Sequence, residues 1–507
     1  MNVVLIMNDT LRYDHLGANG NQWIHTPVLD QFASESAVFD RHYLASFPTV
    51  PNRHEMMKGR YGSPFQQWGP LQWDVKTLPE VLRENGYVTM FIHDTPHLMN
   101  YGYGFDRPFH AWEMIRGNES DRSKTDYFDE IYIPNPDQQQ PPDRISSYHR
   151  HHEPKLNEED KFAPRVMSAA CKWLERNAGH ENFFLWIDSF DPHEPWDPPR
   201  HYVDLYSPNW EGADLRWPSL GPVNDRYNES ELNHIRGLYA GEVTMVDKSI
   251  GQVLDTIDTL GLRDNTIVLI CSDHGFGLGE TGFLGKRPFY CDTLHTVMMV
   301  RHPSGLGSST RIPGLTQHPD FTPSIMELLN IDVPEEMDIQ GKSWVPLLEG
   351  TEDNIRNATF SGTYPFVVPE NHPISAYIGF EGWSPITVIT EDWWLIDQPG
   401  NSSKQLFDAR KDPLQQHNLI EQYPDIAEKL RVKLINFLKE TRSPDWLIQL
   451  WQGDPSAANA NQGDGTAFFS NPNVFTKGRP AANPLIGNIK YPEGYNPLSL
   501  AEQLDKK

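Results

Sequence analysis

Apolar residues along this chain follow two periodicities, and the alternation between them predicts the architecture. Short unbroken apolar runs occupy Val3-Val4-Leu5-Ile6-Met7, Val88 to Ile92, Phe183-Phe184-Leu185-Trp186-Ile187 and Thr266-Ile267-Val268-Leu269-Ile270-Cys271. Runs of this length without polar alternation are expected of strands covered on both faces. Ala37 to Tyr43 reads as a further strand. Between these runs the apolar residues fall at helical spacing, over Thr26 to Ala33, Thr77 to Gly86, Ala163 to Asn177 and Glu229 to Leu260. In the last of these, Leu238, Tyr239, Val243, Met245, Val246 and Ile250 form one stripe, read as core packing. Strands and helices in alternation predict an α/β fold: a large, mostly parallel, doubly wound sheet with helices on both faces.

The pattern breaks in three places. From about 121 to 160 it dissolves into Pro, Gln, Asp and His, with Gln138-Gln139-Gln140-Pro141-Pro142 and His149-Arg150-His151-His152, and reads as an insertion or long loop. From Pro365 to Trp394 short strands are expected, including Ile374 to Ile378 and Ile386 to Ile389, followed by a helix at Asp425 to Glu440. That makes a smaller C-terminal subdomain of antiparallel sheet and helix. The expected organisation is therefore a catalytic α/β domain at 1–355, the α+β subdomain at 356–440 and a Pro/Asn/Gly-rich extended tail at 441–507. The tail reads as a subunit interface forming a homo-oligomer, as a cover over the chain's own site, or as an unstructured segment.

The polar residues that end the apolar runs carry the chemistry. In a parallel sheet ligands gather at the carboxyl ends of the strands. Those ends read Asn8-Asp9-Thr10, His93-Asp94-Thr95-Pro96-His97, Asp188-Ser189-Phe190-Asp191-Pro192-His193-Glu194-Pro195 and Ser272-Asp273-His274-Gly275. Asp9, Asp273 and His274 offer two hard oxygens and an imidazole, a donor set for Mn²⁺, Zn²⁺ or Fe²⁺ and less typical of an all-oxygen Ca²⁺ site. A second signal is Thr49-Val50-Pro51-Asn52-Arg53, which reads as a helix opening with Thr49 as its cap and Pro51 in its first turn. The Thr49 hydroxyl then sits at the positive end of a helix dipole. Arg53, one turn on, is expected to fold back beside it and grip a tetrahedral anion or a charged nucleophile.

Composition narrows the partners. The formal net charge is −26 over 507 residues, with no basic stripe, which excludes nucleic acid and an anionic membrane. An acidic protein that takes an anionic substrate must concentrate positive charge locally. Cys171, Cys271 and Cys291 have no metal-type spacing and imply no disulfide framework, so a reducing, cytoplasmic setting is expected. The first residues already read as a buried strand rather than a leader, and no apolar run reaches the ~18–20 residues of a membrane span.

Together these motifs resemble the sulfatases, of the alkaline-phosphatase-like superfamily. The likeness rests on Asp9 with Leu11-Arg12 and Asp14-His15-Leu16-Gly17, on Thr49-x-Pro51-x-Arg53 with Gly59-Arg60-Tyr61, and on Ser272-Asp273-His274-Gly275 with Gly282 and Gly285-Lys286. Gln340 to Gly350 and Gln405 to Pro413 resemble that family's closing segments, so the likeness spans roughly residues 1 to 440. The resemblance implies that Asp9, Asp273 and His274 hold one divalent metal with Thr49 at the nucleophile position bridging metal and substrate. It implies that Arg53 supports Thr49, that Lys286 binds the substrate's tetrahedral oxygens, and that His193 contacts the ester oxygen or protonates the leaving group. His97 and Asp94 fall near a further basic pair of the family. Thr10, where many members have a second Asp, makes the metal shell look like that of choline-sulfatase and phosphonate-hydrolase members, with Mn²⁺ first and Zn²⁺, Fe²⁺ or Ca²⁺ as alternatives.

Thr49 is the departure. Sulfate-ester hydrolases of the family carry Cys or Ser here, oxidised to formylglycine, and threonine cannot give that aldehyde. The resemblance then implies a small anionic ester as substrate, a phosphate diester or phosphonate monoester attacked by Thr49. Two alternatives remain: a sulfatase that works without formylglycine, and a sulfatase-like protein that binds such a ligand without turnover.

Overall fold

The first apolar run forms β1 (Asn2–Asn8), buried along its whole length at the centre of an eight-stranded sheet. In chain order the other elements around it are α1 (Pro27–Ser34), β2 (Ala37–Tyr43), α2 (Thr49–Lys58), α3 (Leu78–Glu84), β3 (Val88–His93), β4 (Ala111–Met114), α4 (Phe162–Asn177), β5 (Phe183–Ser189), α5 (Glu229–Thr259), β6 (Thr266–Ser272), β7 (Met298–Arg301), β8 (Thr310–Gln317) and α6 (Phe321–Leu328). This computed structural model describes residues 1–457 except 64–67, 122, 125–130, 141–143, 146–147, 150–156, 225, 369–374, 376–377, 401–403 and 455, together with Ile489–Lys490.

The strand order is β8-β2-β7-β6-β1-β5-β3-β4. All neighbours are parallel except β7, which runs antiparallel to both β6 and β2. Register explains why the apolar runs are unbroken. Val4 lies opposite Leu185 and Val268, and Leu5 opposite Trp186 and Leu269. Alternate residues therefore supply two separate cores. Val4, Ile6, Leu185, Ile187, Val268 and Ile270 pack against α1, α4 and α5. Val3, Leu5, Met7, Phe184, Trp186 and Leu269 pack against α2, α3 and α6.

α2 corrects one expectation: Pro48, not Thr49, precedes the helix, and Thr49 is its first residue, with Pro51 inside the first turn. All ten residues of α2 are buried, and it ends at Gly59 in the left-handed conformation (φ 65°), whose N–H returns to the Glu55 carbonyl.

Beyond the sheet, β9 (Thr359–Gly362), β10 (Ile386–Ile389), β11 (Trp393–Asp397) and β12 (Gln405–Asp408) form a four-stranded antiparallel sheet, covered by α7 (Pro424–Glu440) and α8 (Asp445–Trp451). α8 lies where an extended tail was expected to begin. Its Leu447, Leu450 and Trp451 instead join Leu430, Leu434 and Leu438 in the C-terminal core. Of the expected strand Ile374 to Ile378, residues 374, 376 and 377 lie outside the described residues, as do His151 and His152 and the tail at 458–488 and 491–507. Within the insertion, Ile133, Ile145 and Tyr148 pack with Phe162 and Trp217 in a small core of their own, and Ile131–Tyr132 pair with Ile489–Lys490 of the tail.

The C-terminal sheet grips the loop that leads to Thr49. Phe47 N–H donates to Gly362 O and Gly362 N–H to Ala45 O, both at 2.9 Å, and the Ser361 hydroxyl donates to Leu44 O. No helix among the described residues is long and apolar enough to cross a membrane.

Candidate active site

Several chain segments converge at the carboxyl edge of the sheet. Asp9 directly follows β1, Asp273 and His274 follow β6, and Asp188 is the penultimate residue of β5, with His193 and Glu194 in the loop after it. α2 brings Thr49 and Arg53. Lys286 follows Phe283–Gly285, which pairs with Gly277–Leu278 in a small antiparallel sheet.

Asp9, Asp273 and His274 are buried, and each offers a donor atom within 4.8 Å of the others. Thr10 makes this approach possible by adopting φ 65°, a conformation that a β-branched residue rarely enters. Three hydrogen bonds offset the strain: Thr10 N–H to Asp273 Oδ1 (3.0 Å), its hydroxyl to Asp9 Oδ1 (2.7 Å), and the Tyr239 hydroxyl to its carbonyl (2.9 Å). The Thr49 hydroxyl donates to Asp9 Oδ2 at 3.0 Å, so it belongs to the same cluster.

Arg53 is not the free arm the sequence suggested. Its Nε and Nη2 bond both oxygens of Asp188 (2.8 and 2.9 Å), and its Nη1 bonds Asp273 Oδ2 (2.6 Å). Nη2 also lies 3.7 Å from Asp9 Oδ2. With no exposed side-chain surface, Arg53 is the counter-ion of three carboxylates. Asp188 was not singled out from sequence, yet its place at the end of a buried parallel strand matches that of Asp9 and Asp273, and that rule alone selects it.

Burial, then the charge on Asp273, holds the Asp9 carboxyl well above the usual carboxylate range. Asp273 goes the other way: burial pushes its carboxyl up, but His274, Arg53 and the surrounding hydrogen bonds outweigh that and keep it ionised. Burial lowers His274 to about 4, against the pull of Asp273, so its ring is neutral. Its Nδ1 donates to Gly275 O at 3.0 Å, which leaves a lone pair on Nε2. That buried Nε2 has no hydrogen-bond partner among the described residues and lies 3.7 Å from both Asp9 Oδ1 and Asp273 Oδ2. An orphaned imidazole lone pair facing two carboxylates fits a divalent cation, which would favour the ionised form of Asp9.

Lys286 and His193 form the side of the site nearest solvent, with side chains 13% and 9% exposed. Lys286 Nζ lies 2.6 Å from His193 Nε2 and 3.2 and 3.1 Å from the two oxygens of Glu194. His193 Nδ1 donates to the Glu194 carbonyl at 2.5 Å. The ammonium can only donate, so Nε2 accepts and the ring is neutral. Burial, then Lys286, lowers His193 well below its ordinary value. In this state Nε2 carries no proton to give, so protonating a leaving group would require the ring to gain a proton first.

His97 and Asp94 stand apart from the cluster. His97 faces Glu119 at 3.4 Å and packs edge-on to Trp68 and Phe190. Asp94 accepts from Phe190 N–H (2.7 Å) and Asn118 Nδ2 (2.9 Å), and burial, then Asp191, raises its carboxyl well above the usual range. Fully buried and bonded at both oxygens, Asp94 straps the β5 loop in place instead of facing a substrate.

Known proteins resemble this chain in sequence and in fold. Residues 1–331 match the family model described as Sulfatase, and residues 279–442 match the one described as N-sulphoglucosamine sulphohydrolase, C-terminal. An arylsulfatase of Clostridium perfringens is 25% identical, covering 86% of this chain and 94% of its own length. A choline-sulfatase of Rhizobium meliloti is 24% identical over 83% and 82%. Among solved structures, the phosphonate monoester hydrolase of Agrobacterium radiobacter superposes with a TM-score of 0.69 at 21% identity, covering 87% of this chain and 96% of that one.

Proposed function

The chain belongs to the sulfatase family, and from that premise we propose that it is a metal-dependent hydrolase of a phosphate diester or phosphonate monoester with Thr49 as nucleophile. One observation carries the reading: the Thr49 hydroxyl, a secondary alcohol that cannot be oxidised to the formylglycine aldehyde, donates to Asp9 Oδ2 at 3.0 Å beside the candidate metal cluster, at the position that corresponds to the family's nucleophile. Asp9, Asp273 and His274 would hold the cation, Mn²⁺ first. Once bound, that cation lowers the pKa of the nearby hydroxyl and stabilises charge on the reacting oxygens.

The chain's own residues then divide the work. Thr49 Oγ1 attacks phosphorus as its proton moves toward Asp9 Oδ2. The bond to the leaving oxygen breaks, and Thr49 becomes phosphorylated. Lys286 neutralises the equatorial oxygens, and Arg53 keeps the three carboxylates beneath from repelling them. An anionic ester beside His193 supplies a charge that favours the imidazolium, so His193 gains its proton only with substrate in place. His193 gives that proton to the leaving oxygen. Water then attacks phosphorus as one of its protons passes to His193, the P–Oγ1 bond breaks, and Thr49 Oγ1 recovers its proton from Asp9. A sulfated threonine has no comparable exit, because the alcohol lacks the second hydroxyl of a hydrated aldehyde.

The names of the sequence relatives favour a second reading, sulfate-ester hydrolysis with water as nucleophile. The test is the metal-loaded protein and Thr49→Ala on nitrophenyl sulfate, nitrophenyl phosphate, the bis-nitrophenyl diester and a phosphonate monoester. Turnover of a phosphorus ester that falls at least ~10³-fold in the variant is expected. Sulfate turnover that dominates and survives the substitution would overturn the reading.

A further inference from the structure

Glu194 is a buried carboxylate placed where an anion-binding site should least tolerate one. Its side chain is 4% exposed. Its oxygens lie 3.2 and 3.1 Å from Lys286 Nζ, and one of them lies 3.2 Å from His193 Nδ1. Lys286 therefore meets an incoming tetrahedral group with much of its charge already engaged. Counted over Arg53, Lys286, the carboxylates they face and a bound divalent cation, the formal charges are also matched. Asp9, Asp188, Asp273 and Glu194 face Arg53, Lys286 and the divalent cation that the donor set fits.

We propose that Glu194 is a specificity-determining residue that makes the site select tetrahedral esters carrying one negative charge over those carrying two. The inference rests on the reading above that the site takes an anionic ester, and it adds the residue that sets the charge of that ester. In a matched site a monoanion leaves one uncompensated charge and a dianion leaves two. At this burial each is poorly screened. Phosphate diesters, phosphonate monoesters and sulfate esters all qualify, whereas a phosphate monoester, dianionic at about pH 8 because its second pKa is about 6, does not.

Glu194→Gln removes the charge and keeps the shape. In the metal-loaded protein the kcat/KM ratio of nitrophenyl phosphate to the bis-nitrophenyl diester is expected to rise at least about tenfold in this variant. Glu194→Asp, which keeps the carboxylate, is expected to hold the wild-type ratio. A merely structural role would lower both substrates alike and leave the ratio unchanged. Binding supplies a readout that needs no turnover and separates this proposal from the Thr49 mechanism. By calorimetry at about pH 8, wild type is expected to bind dimethyl phosphate and methyl sulfate at least about tenfold more tightly than methyl phosphate, and Glu194→Gln to lose that preference. That pattern in a protein without phosphorus-ester turnover would sink the Thr49 reading and leave the charge rule standing. The charge rule itself falls if wild type binds the dianion as tightly, if Gln leaves both ratios within about twofold, or if Asp and Gln shift them alike. The wild-type comparison decides the matter even where a variant does not fold.

Discussion

At the scale of single residues the site is held by a few side chains doing what their neighbours cannot. Arg53 bonds two carboxylates at once, and lies 3.7 Å from a third, because a planar guanidinium can bond Asp188 with Nε and Nη2 and still reach Asp273 with Nη1. Burial is expected to lower a cation's pKa, but the carboxylates overcome this and raise that of Arg53 well above its ordinary value. Arg53→Lys keeps the charge and loses the fork. We expect this variant to lose roughly 3–5 kcal/mol of stability, the cost of leaving buried charges short of a partner, and to bind divalent metal more weakly. Thermal unfolding together with a metal titration checks it; unchanged values for both would mean that Asp188 and Asp273 do not depend on the fork. This residue also marks a limit of sequence reading. Helical spacing placed Arg53 one turn from Thr49, but its bonded partners Asp188 and Asp273 lie more than a hundred positions away along the chain, and local spacing carries no trace of them.

At the scale of elements, β1, β3, β5 and β6 were legible because a strand covered on both faces is written as an unbroken apolar run. β4, β7 and β8 were not. β7 has four residues, too few to show a period, and β8 contains Pro313 and Gly314 at a break in register between Ile312 and Leu315. The opening of α2 was read one residue out because Thr49 looks like a cap, whereas its hydroxyl is committed to Asp9 across the site. The helix hides a titratable group as well. Glu55 accepts from Ser46 N–H at 3.1 Å, and burial, opposed by its hydrogen bonds, pushes its carboxyl up to about 8. The folded state thus retains a proton that the unfolded chain releases near pH 4.5. Stability from this group is full below that value and declines by roughly 1 kcal/mol per pH unit until the folded carboxyl ionises near pH 8. Glu55→Gln, neutral throughout, is expected to flatten that decline. Chemical denaturation of both proteins between about pH 5 and 8 gives the comparison, and parallel slopes would refute it.

At the scale of the whole molecule, the donor residues were legible and the balance among them was not. Strand ends pointed to Asp9, Asp273 and His274, because any parallel sheet sends its polar ends to one edge. That Glu194 pairs with Lys286, or that Asp94 serves the loop after β5, depends on how loops pack over that edge. The packing leaves a protein of net charge −26 with Asp9, Asp188 and Asp273 gathered around a single guanidinium. A divalent cation is therefore expected to stabilise the entire fold, since it binds a cluster that exists only when β1, β6 and α2 are assembled. At about a hundredfold excess over its Kd the gain is about 3 kcal/mol. The melting temperature should fall on chelation, recover with Mn²⁺, and respond to neither treatment in His274→Ala, which removes the imidazole donor. Binding should also release protons, because burial and Asp273 hold the Asp9 carboxyl well above its ordinary range and the cation favours its ionised form, and calorimetry in buffers of different ionisation enthalpy reads this directly. A melting temperature indifferent to chelation, or metal uptake without proton release, would mean that the cluster closes on its own hydrogen bonds and that the charge of the site is balanced elsewhere.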